Sequence, residues 1–203
     1  MNTIPELDAA EISEYNIFIL TDTSGSMAEP STRYEGKNRL QEVQEFALGL
    51  AAYSAKVDDD GVTIISFGSE VTFSDNVTSD KVASLFNKLT PYGSTKTGAA
   101  LKRALDVHFN SGKPSYIFVF TDGDATDKTE LEQHIINASS KLTKASDLRI
   151  MFIQVGDDAS STAFLARLNN GLKVAKFDIV ATVNAKDAEN LSVGQLFHLN
   201  KRG

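Results

Sequence analysis

The sequence has 203 residues, a length that suits one compact domain with a substantial hydrophobic core. Hydrophobic residues make up 41% and charged residues 23%, values typical of soluble globular proteins and not of disordered or membrane-embedded ones. The net charge of -7 argues against a general affinity for nucleic acid or anionic membranes, because phosphate binding needs clustered Lys and Arg.

Cysteine is absent, which excludes disulfides, thiolate catalysis and Cys-ligated zinc. Any bound metal must therefore be held by oxygen or histidine. Residues 1–14 are polar and acidic, without the basic start and apolar run of a signal peptide, and no segment has the roughly 18 apolar residues of a membrane span. We therefore expect a cytoplasmic protein, with residues 1–14 as an N-terminal extension and residues 15–203 as one domain.

Five short apolar runs, rich in Ile, Val and Phe, alternate with segments of helical periodicity along the chain. Because the runs are nearly continuous, they predict strands buried on both faces of a mainly parallel sheet. They span residues 16–20, 62–67, 116–120, 150–155 and 177–180. Residues 71–73 follow the second run after only three residues, too few for a parallel crossover, and predict one antiparallel edge strand.

Helices are predicted between these runs, where apolar residues recur every three or four positions. The stripes lie within residues 40–51, 82–89 and 131–142, and a further helix is expected to begin near Thr97 and to end before Gly112. The polar stretch 28–38 is expected to be a surface loop. Alternating strands and helices predict an α/β fold: a doubly wound, Rossmann-like sheet with helices on both faces.

Two loops that follow predicted strands carry an aspartate at the same place. Residues 21–27 read TDTSGSM after the first strand, and residues 121–124 read TDGD after the third. In open α/β sheets, ligands bind beyond the carboxyl ends of the strands, where the strand order reverses. If these two strands are neighbours across that point, their loops face each other.

The first loop offers oxygen atoms at alternate positions. Asp22, Ser24 and Ser26 can converge on one point where the backbone turns sharply, and Gly25 permits such a turn. Hard oxygen ligands of this kind suit Mg²⁺, Mn²⁺ or Ca²⁺ better than zinc or copper. The sequence thus makes a divalent-cation site at this loop possible.

These motifs resemble those of von Willebrand factor type A (vWA) domains, from about residue 15 to about residue 182. Residues 22–27 resemble the DxSxS signature of the metal-ion-dependent adhesion site, residues 93–101 (GSTKTGAAL) the family's second loop, and residues 121–124 its third. The resemblance implies a metal ion, Mg²⁺ with Mn²⁺ or Ca²⁺ as alternatives. Its implied ligands are Asp22, Ser24, Ser26, Thr95 and Asp122. The serines and Thr95 would bind the ion directly, and the aspartates directly or through water.

The resemblance also implies a partner. In such domains an acidic side chain of another protein commonly fills the metal's open sixth position. We therefore predict a metal-dependent protein–protein interaction module over residues 15–203, one that is similar to cytoplasmic bacterial vWA proteins. No nucleic-acid or membrane partner is expected.

Each loop also has a simpler interpretation. Asp and Ser after a strand often form helix caps or turns, which alone would explain residues 22–26. In the second loop we take Thr95 as a ligand and Thr97 as a helix cap, with Ser94 as the alternative ligand. Glu29 and Asp124 would add negative potential, which favours a cation but opposes an acidic ligand.

Two other functions compete with the binding module. A haloacid-dehalogenase-type phosphatase also places an Asp after its first strand, but it needs a second Asp two residues later, where this chain has Ser24. The G-x-S-x-G elbow, the Walker A loop and the G-x-G-x-x-G fingerprint are also absent from the sequence. We therefore predict that the protein is not an enzyme. A scaffold with a vestigial metal site is the remaining alternative.

Overall fold

The computed structural model describes residues 9–55, 60–123, 125–170 and 172–199. Within these ranges, the strands form one sheet in which β2 and β3 are antiparallel and all other neighbouring strands are parallel. The strands are β1 (Asn16–Asp22), β2 (Val62–Phe67), β3 (Val71–Val77), β4 (Ser115–Thr121), β5 (Leu148–Gln154) and β6 (Val180–Asn184). Their order in the sheet is β3-β2-β1-β4-β5-β6. The predicted α/β class, the parallel sheet and the antiparallel edge strand are confirmed.

Helices cover both faces of this sheet. They are α1 (Ala9–Ser13), α2 (Arg39–Ser54), α3 (Ser79–Phe86), α4 (Thr97–Ser111), α5 (Lys128–Lys141), α6 (Ala159–Asn170), α7 (Ala185–Ala188) and α8 (Val193–Leu199), with short 3₁₀ helices at Gly25–Ala28 and Ala145–Asp147. A capping box starts α2: the Asn38 side chain accepts from the Gln41 amide at 2.8 Å, and the Gln41 side chain accepts from the Asn38 amide at 2.9 Å. None of the helices in the described ranges is long and apolar enough to cross a membrane.

The two sides of the sheet carry separate hydrophobic cores, because successive side chains of a strand point to opposite faces. In β4, Tyr116, Phe118 and Phe120 contribute to the core under α2 and α8, whereas Ile117 and Val119 contribute to the core under α4, α5 and α6. These five side chains are at most 2% exposed. Burying an apolar side chain of this size stabilises the fold by about 1.5–3 kcal/mol. Burial on both faces thus explains the continuous apolar runs.

The position predicted for the last strand was wrong. The apolar run 177–180 lies mostly before β6, because Phe177 is held by helix α5 and not by the sheet. The Ser139 hydroxyl donates to the Phe177 carbonyl at 3.0 Å and accepts from the Phe177 amide at 2.7 Å. Parallel pairing with β5 begins only at Val180.

The polar stretch 28–38 is irregular, as predicted, but it is not simply a solvent-exposed loop. The Arg33 side chain is only 4% exposed, and its guanidinium lies 3.2 Å from the buried carboxylate of Glu42 on α2 and 4.8 Å from the Phe46 ring centroid. The ion pair therefore anchors the loop that follows the first motif to the core.

The boundary that we predict at residue 15 is not visible as a break in packing. Ile12 of α1 is fully buried in the same core as α2. Residues 1–8 lie outside the described residues. The division into an extension and a domain stays a prediction.

Candidate metal centre

The candidate site lies where the sheet reverses its order, between β1 and β4. These two strands are neighbours, in register from Asn16 with Ser115 to Thr21 with Phe120. Asp22 is the last residue of β1, and Asp122 directly follows β4. The two aspartate loops therefore share one edge of the sheet, at the position where ligands bind in open α/β folds.

Four of the predicted ligand residues are linked to one another by hydrogen bonds. The Ser24 and Ser26 hydroxyl oxygens are 3.2 Å apart, and the Ser26 hydroxyl donates to Oδ1 of Asp122 at 2.8 Å. Oδ1 of Asp22 accepts from the Ser24 amide at 2.7 Å. The structure thus brings Asp22, Ser24, Ser26 and Asp122 together.

The local backbone explains how the two serines meet. Ser24 is extended, with φ −63° and ψ 166°, and the chain then turns through the 3₁₀ helix from Gly25. Although Ser24 occupies the N-cap position of that helix, its side chain makes no capping hydrogen bond. Its hydroxyl instead lies against Ser26, which does not support the simple capping interpretation of this serine.

The second loop packs between the other two through its backbone. The Tyr92 amide donates to the Thr23 carbonyl at 2.8 Å, and the Gly25 amide donates to the Gly93 carbonyl at 3.3 Å. On the other side, the Thr126 amide donates to the Thr95 carbonyl at 2.8 Å. The last of these contacts uses the Thr95 carbonyl, and Thr95 itself is buried, only 8% exposed.

A glycine is favoured at position 93 of this loop. Its φ of 78° is in the left-handed region, and a Cβ at this position would lie 2.0 Å from the Ser69 hydroxyl oxygen. Any other residue here would be strained by the positive φ, and its Cβ would force the Ser69 side chain to move.

The interpretation of Thr97 as a helix cap was wrong. Thr97 is the first residue of α4, and its buried hydroxyl has no hydrogen-bond partner within the described part of the chain. Asp127, from the segment after the third motif, caps the helix instead: its carboxylate accepts from the Gly98 and Ala99 amides at 3.0 Å each. Sequence reasoning missed this cap because it comes from about 30 residues further along the chain.

The electrostatics of the site are unfavourable without a cation. Asp22 is 0% exposed and Asp122 is 3% exposed. Burial raises the pKa of Asp22 to about 6, and the nearby Asp122 charge adds to this effect, although hydrogen bonds from the Thr121 hydroxyl (2.6 Å) and from Ser24 lower the pKa. The folded protein therefore resists ionising Asp22, and a bound cation would reverse that preference.

Arg39 is a site residue that the sequence analysis missed. Its Nη1 lies 2.6 Å from Oδ2 of Asp122, and its Nη2 lies 2.9 Å from Oε2 of Glu29. A sequence signal did exist: Arg39 is the first residue of α2, and a cation there is unfavourable to the helix dipole unless an anion compensates it.

The donor set suits a hard divalent cation. Among the described residues, no three Asp, Glu, His or Cys side chains converge as a metal cage. A cation here would therefore be held by two carboxylates together with hydroxyl oxygens, a set typical of Mg²⁺, Mn²⁺ or Ca²⁺. Glu29 reaches the site through Arg39, and Asp124 lies outside the described residues.

A sequence model of the von Willebrand factor type A domain matches residues 17–125, slightly more than half of the chain. No curated protein matches the sequence.

Similar solved structures include the manganese-loaded TRAP protein of Plasmodium vivax, with a TM-score of 0.60 and 19% identity over 91% of this chain and 72% of TRAP. A mutant of the PilB minor pilin from Streptococcus sanguinis has a TM-score of 0.57 and 14% identity, over 91% of this chain and 60% of PilB. The vWF domain of the type V pili tip protein Mfa5 from Porphyromonas gingivalis has a TM-score of 0.51 and 16% identity, over 93% and 97%. At these identities the likeness establishes the fold.

Proposed function

This chain belongs to the von Willebrand factor type A domain family, and we propose that it binds one divalent cation and uses that cation to hold a partner protein. Domains of this family are typically adhesion and protein-interaction modules. The proposed ligands are Asp22, Ser24, Ser26, Thr95 and Asp122. The observation that carries the proposal is the oxygen cluster of the two serines and two buried aspartates at the switch point of the sheet.

The charge balance supports a cation in this cluster. Two buried carboxylates lie at the site, and one guanidinium, that of Arg39, compensates Asp122. Burying a carboxylate without a compensating charge is costly, which is why the pKa of Asp22 is raised. A divalent ion would supply the missing positive charge. We propose Mg²⁺ as the resident ion, with Mn²⁺ or Ca²⁺ as alternatives, and note that the similar TRAP structure is manganese-loaded.

The proposed partner offers an Asp or Glu side chain. Hydroxyl ligands such as Ser24, Ser26 and Thr95 are neutral, so they leave more of the ion's charge uncompensated than a cage of carboxylates would. An incoming carboxylate would be attracted to that charge. A cytoplasmic location, the domain limits and the lack of nucleic-acid or membrane partners remain predictions from the sequence.

Calorimetric titration of metal-stripped protein with Mg²⁺, Mn²⁺ and Ca²⁺ tests the first half of the proposal. We expect saturation at one ion per chain. Thr95→Ala should weaken ion binding, whereas Ser94→Ala should leave it unchanged and serves as the matched control in the same loop. The reverse result would make Ser94 the ligand, and no saturable heat with any of the three ions would refute the site.

The second half concerns the partner. A complex isolated with the native protein in Mn²⁺ should dissociate when chelator is added and re-form when Mn²⁺ is restored. Replacing one Asp or Glu of the partner by its amide should have the same effect as the chelator. A complex that survives chelation and Thr95→Ala at unchanged affinity would favour a scaffold with a vestigial metal site.

A further inference from the structure

The Arg39 guanidinium is held between three loops at the metal edge of the sheet. It contacts Asp122 after β4 and Glu29 after β1, as described above. After β5, a Cβ on Gly156 would lie only 3.2 Å from Cζ, Nε and Nη2 of Arg39. The Arg39 side chain is 13% exposed, and its Nε has no hydrogen-bond partner within the described residues. The guanidinium is therefore packed in place and is not a mobile surface group.

This packing divides the two oxygens of Asp122 between different partners. Oδ2 accepts from Arg39 at 2.6 Å, and Oδ1 accepts from the Ser26 hydroxyl at 2.8 Å. A carboxylate held at both oxygens has a fixed orientation. Only Oδ1 lies on the side of the serine hydroxyls.

Arg39 also changes the charge of the site. Asp22 and Asp122 together would neutralise a divalent ion, but the Arg39 guanidinium beside Asp122 would leave one positive charge in excess when such an ion is bound. Within the described part of the chain, the other carboxylate that Arg39 contacts is that of Glu29, whose side chain is 58% exposed and therefore screened by water.

We propose that Arg39 is a positioning residue that fixes Asp122 and lowers the affinity of the site for its cation, so that the loaded site favours an anionic partner. This inference rests on the proposed function. It separates two requirements of the site: Arg39 weakens the binding of the ion by repulsion, and the same positive charge strengthens the binding of a carboxylate.

Mn²⁺ binding to the full chain tests the inference, with free Mn²⁺ measured by electron paramagnetic resonance. Arg39→Gln removes the charge and should tighten Mn²⁺ binding about tenfold, because in water a unit positive charge weakens the binding of a divalent ion by about that factor at separations of roughly 6 Å. Arg39→Lys keeps the charge and should stay within about threefold of the native affinity.

Lys37→Gln is the matched control for net charge. Lys37 lies two residues before Arg39, and its amine pairs with Glu45 at the surface, where both side chains are about 40% exposed. Screening by solvent should therefore leave Mn²⁺ affinity unchanged in this variant. A second readout is thermal unfolding in chelator: Arg39→Gln should unfold at a lower temperature than the native protein, yet gain more on addition of Mn²⁺.

The outcomes separate this inference from the proposed function. Native protein that binds no Mn²⁺ would overturn both. If the native protein binds Mn²⁺ and Arg39→Gln binds it equally or more weakly, the inference alone would be overturned. Arg39 would then have only a structural role. If Arg39→Gln does not fold in chelator, it is refolded in Mn²⁺, and Arg39→Lys carries the test: a tenfold change in its affinity would exclude the charge-based role.

Discussion

Replacing Asp22 by asparagine should make the metal-free protein more stable while abolishing its response to metal. The pKa of the buried Asp22 carboxyl group rises from its ordinary 3.8 to about 6 in the folded state. Keeping that group ionised above pH 6 therefore destabilises the folded protein by about 3 kcal/mol. The amide of asparagine carries no charge and avoids this cost.

Asparagine can also retain the local hydrogen bonds. Its oxygen can accept from the Ser24 amide, as Oδ1 of Asp22 does at 2.7 Å. Its Nδ2 can donate to the Thr121 hydroxyl, which now donates to Oδ2 at 2.6 Å and can turn to the Gly123 carbonyl at 3.4 Å. Because both contacts persist, we expect Asp22→Asn to raise the free energy of unfolding in chelator at pH 7.5 by about 1–3 kcal/mol.

Urea unfolding in chelator, repeated from pH 4 to pH 8, measures this effect. Between pH 3.8 and pH 6 the folded state binds more protons at Asp22 than the unfolded state does, so the contribution of Asp22 to stability falls as the pH rises. The difference between variant and native protein should thus be near zero at pH 4 and reach its maximum above pH 6. A variant less stable than the native protein at pH 7.5 would refute the reasoning.

Asp158→Asn is a control with the same chemical change and the opposite expected sign. Hydrogen bonds from the Ser161 amide and from the hydroxyls of Ser160 and Ser161 hold the pKa of the exposed Asp158 well below its usual value. Its charged form therefore stabilises the folded state at neutral pH. Asp158→Asn should lower the unfolding free energy at pH 7.5, and its response to metal should be unchanged.

Three further predictions address the same site. Mn²⁺ affinity, measured by calorimetry, should fall as the pH drops below about 6, because Asp22 must lose its proton to bind the ion. An affinity that does not change between pH 7.5 and pH 5 would show that Asp22 is not a ligand. Gly93→Ala should lower the free energy of unfolding, measured with urea, by about 1–3 kcal/mol. The loss of stability should be larger than that caused by Gly36→Ala. Both glycines have positive φ, but of the two only Gly93 has a neighbour, Ser69, within reach of a Cβ. Equal losses of stability in the two variants would contradict the steric argument. With Mg²⁺, the protein should not hydrolyse p-nitrophenyl phosphate, and turnover that Asp22→Asn abolishes would favour the phosphatase alternative.

The sheet could be predicted from the sequence because strands that are buried on both faces have nearly continuous apolar sequences. The segments that became β1, β2, β4 and β5 were all located in this way. β6 was misplaced because Phe177 belongs to the apolar run but its backbone is bonded to Ser139 of α5, and an apolar run does not reveal which element each of its residues contacts. The sequence did not predict that β1 lies beside β4. That arrangement was assumed as the condition under which the two aspartate loops would meet.

In the candidate site, contacts between residues close in sequence could be predicted, whereas contacts between distant residues could not. Asp22, Ser24 and Ser26 lie within five residues of one another, so their spacing alone made convergence possible. Arg39 reaches Asp122 across 83 positions of sequence, and Asp127 reaches Gly98 across 29. No periodicity links such pairs. They follow from where the ends of β1, β4 and β5 meet in space, and the sequence left that open.

The vestigial-scaffold alternative and the metal-binding proposal differ in what they require of Asp22. A scaffold that never binds a cation would be more stable with an uncharged residue at this fully buried position, because ionising Asp22 is opposed both by burial and by Asp122. The cost of the carboxylate would be recovered if a cation bound between the two aspartates. Residues that lower the stability of the empty fold are a common feature of functional sites. The electrostatics of Asp22 therefore favour a site that is used over one that has lost its ion.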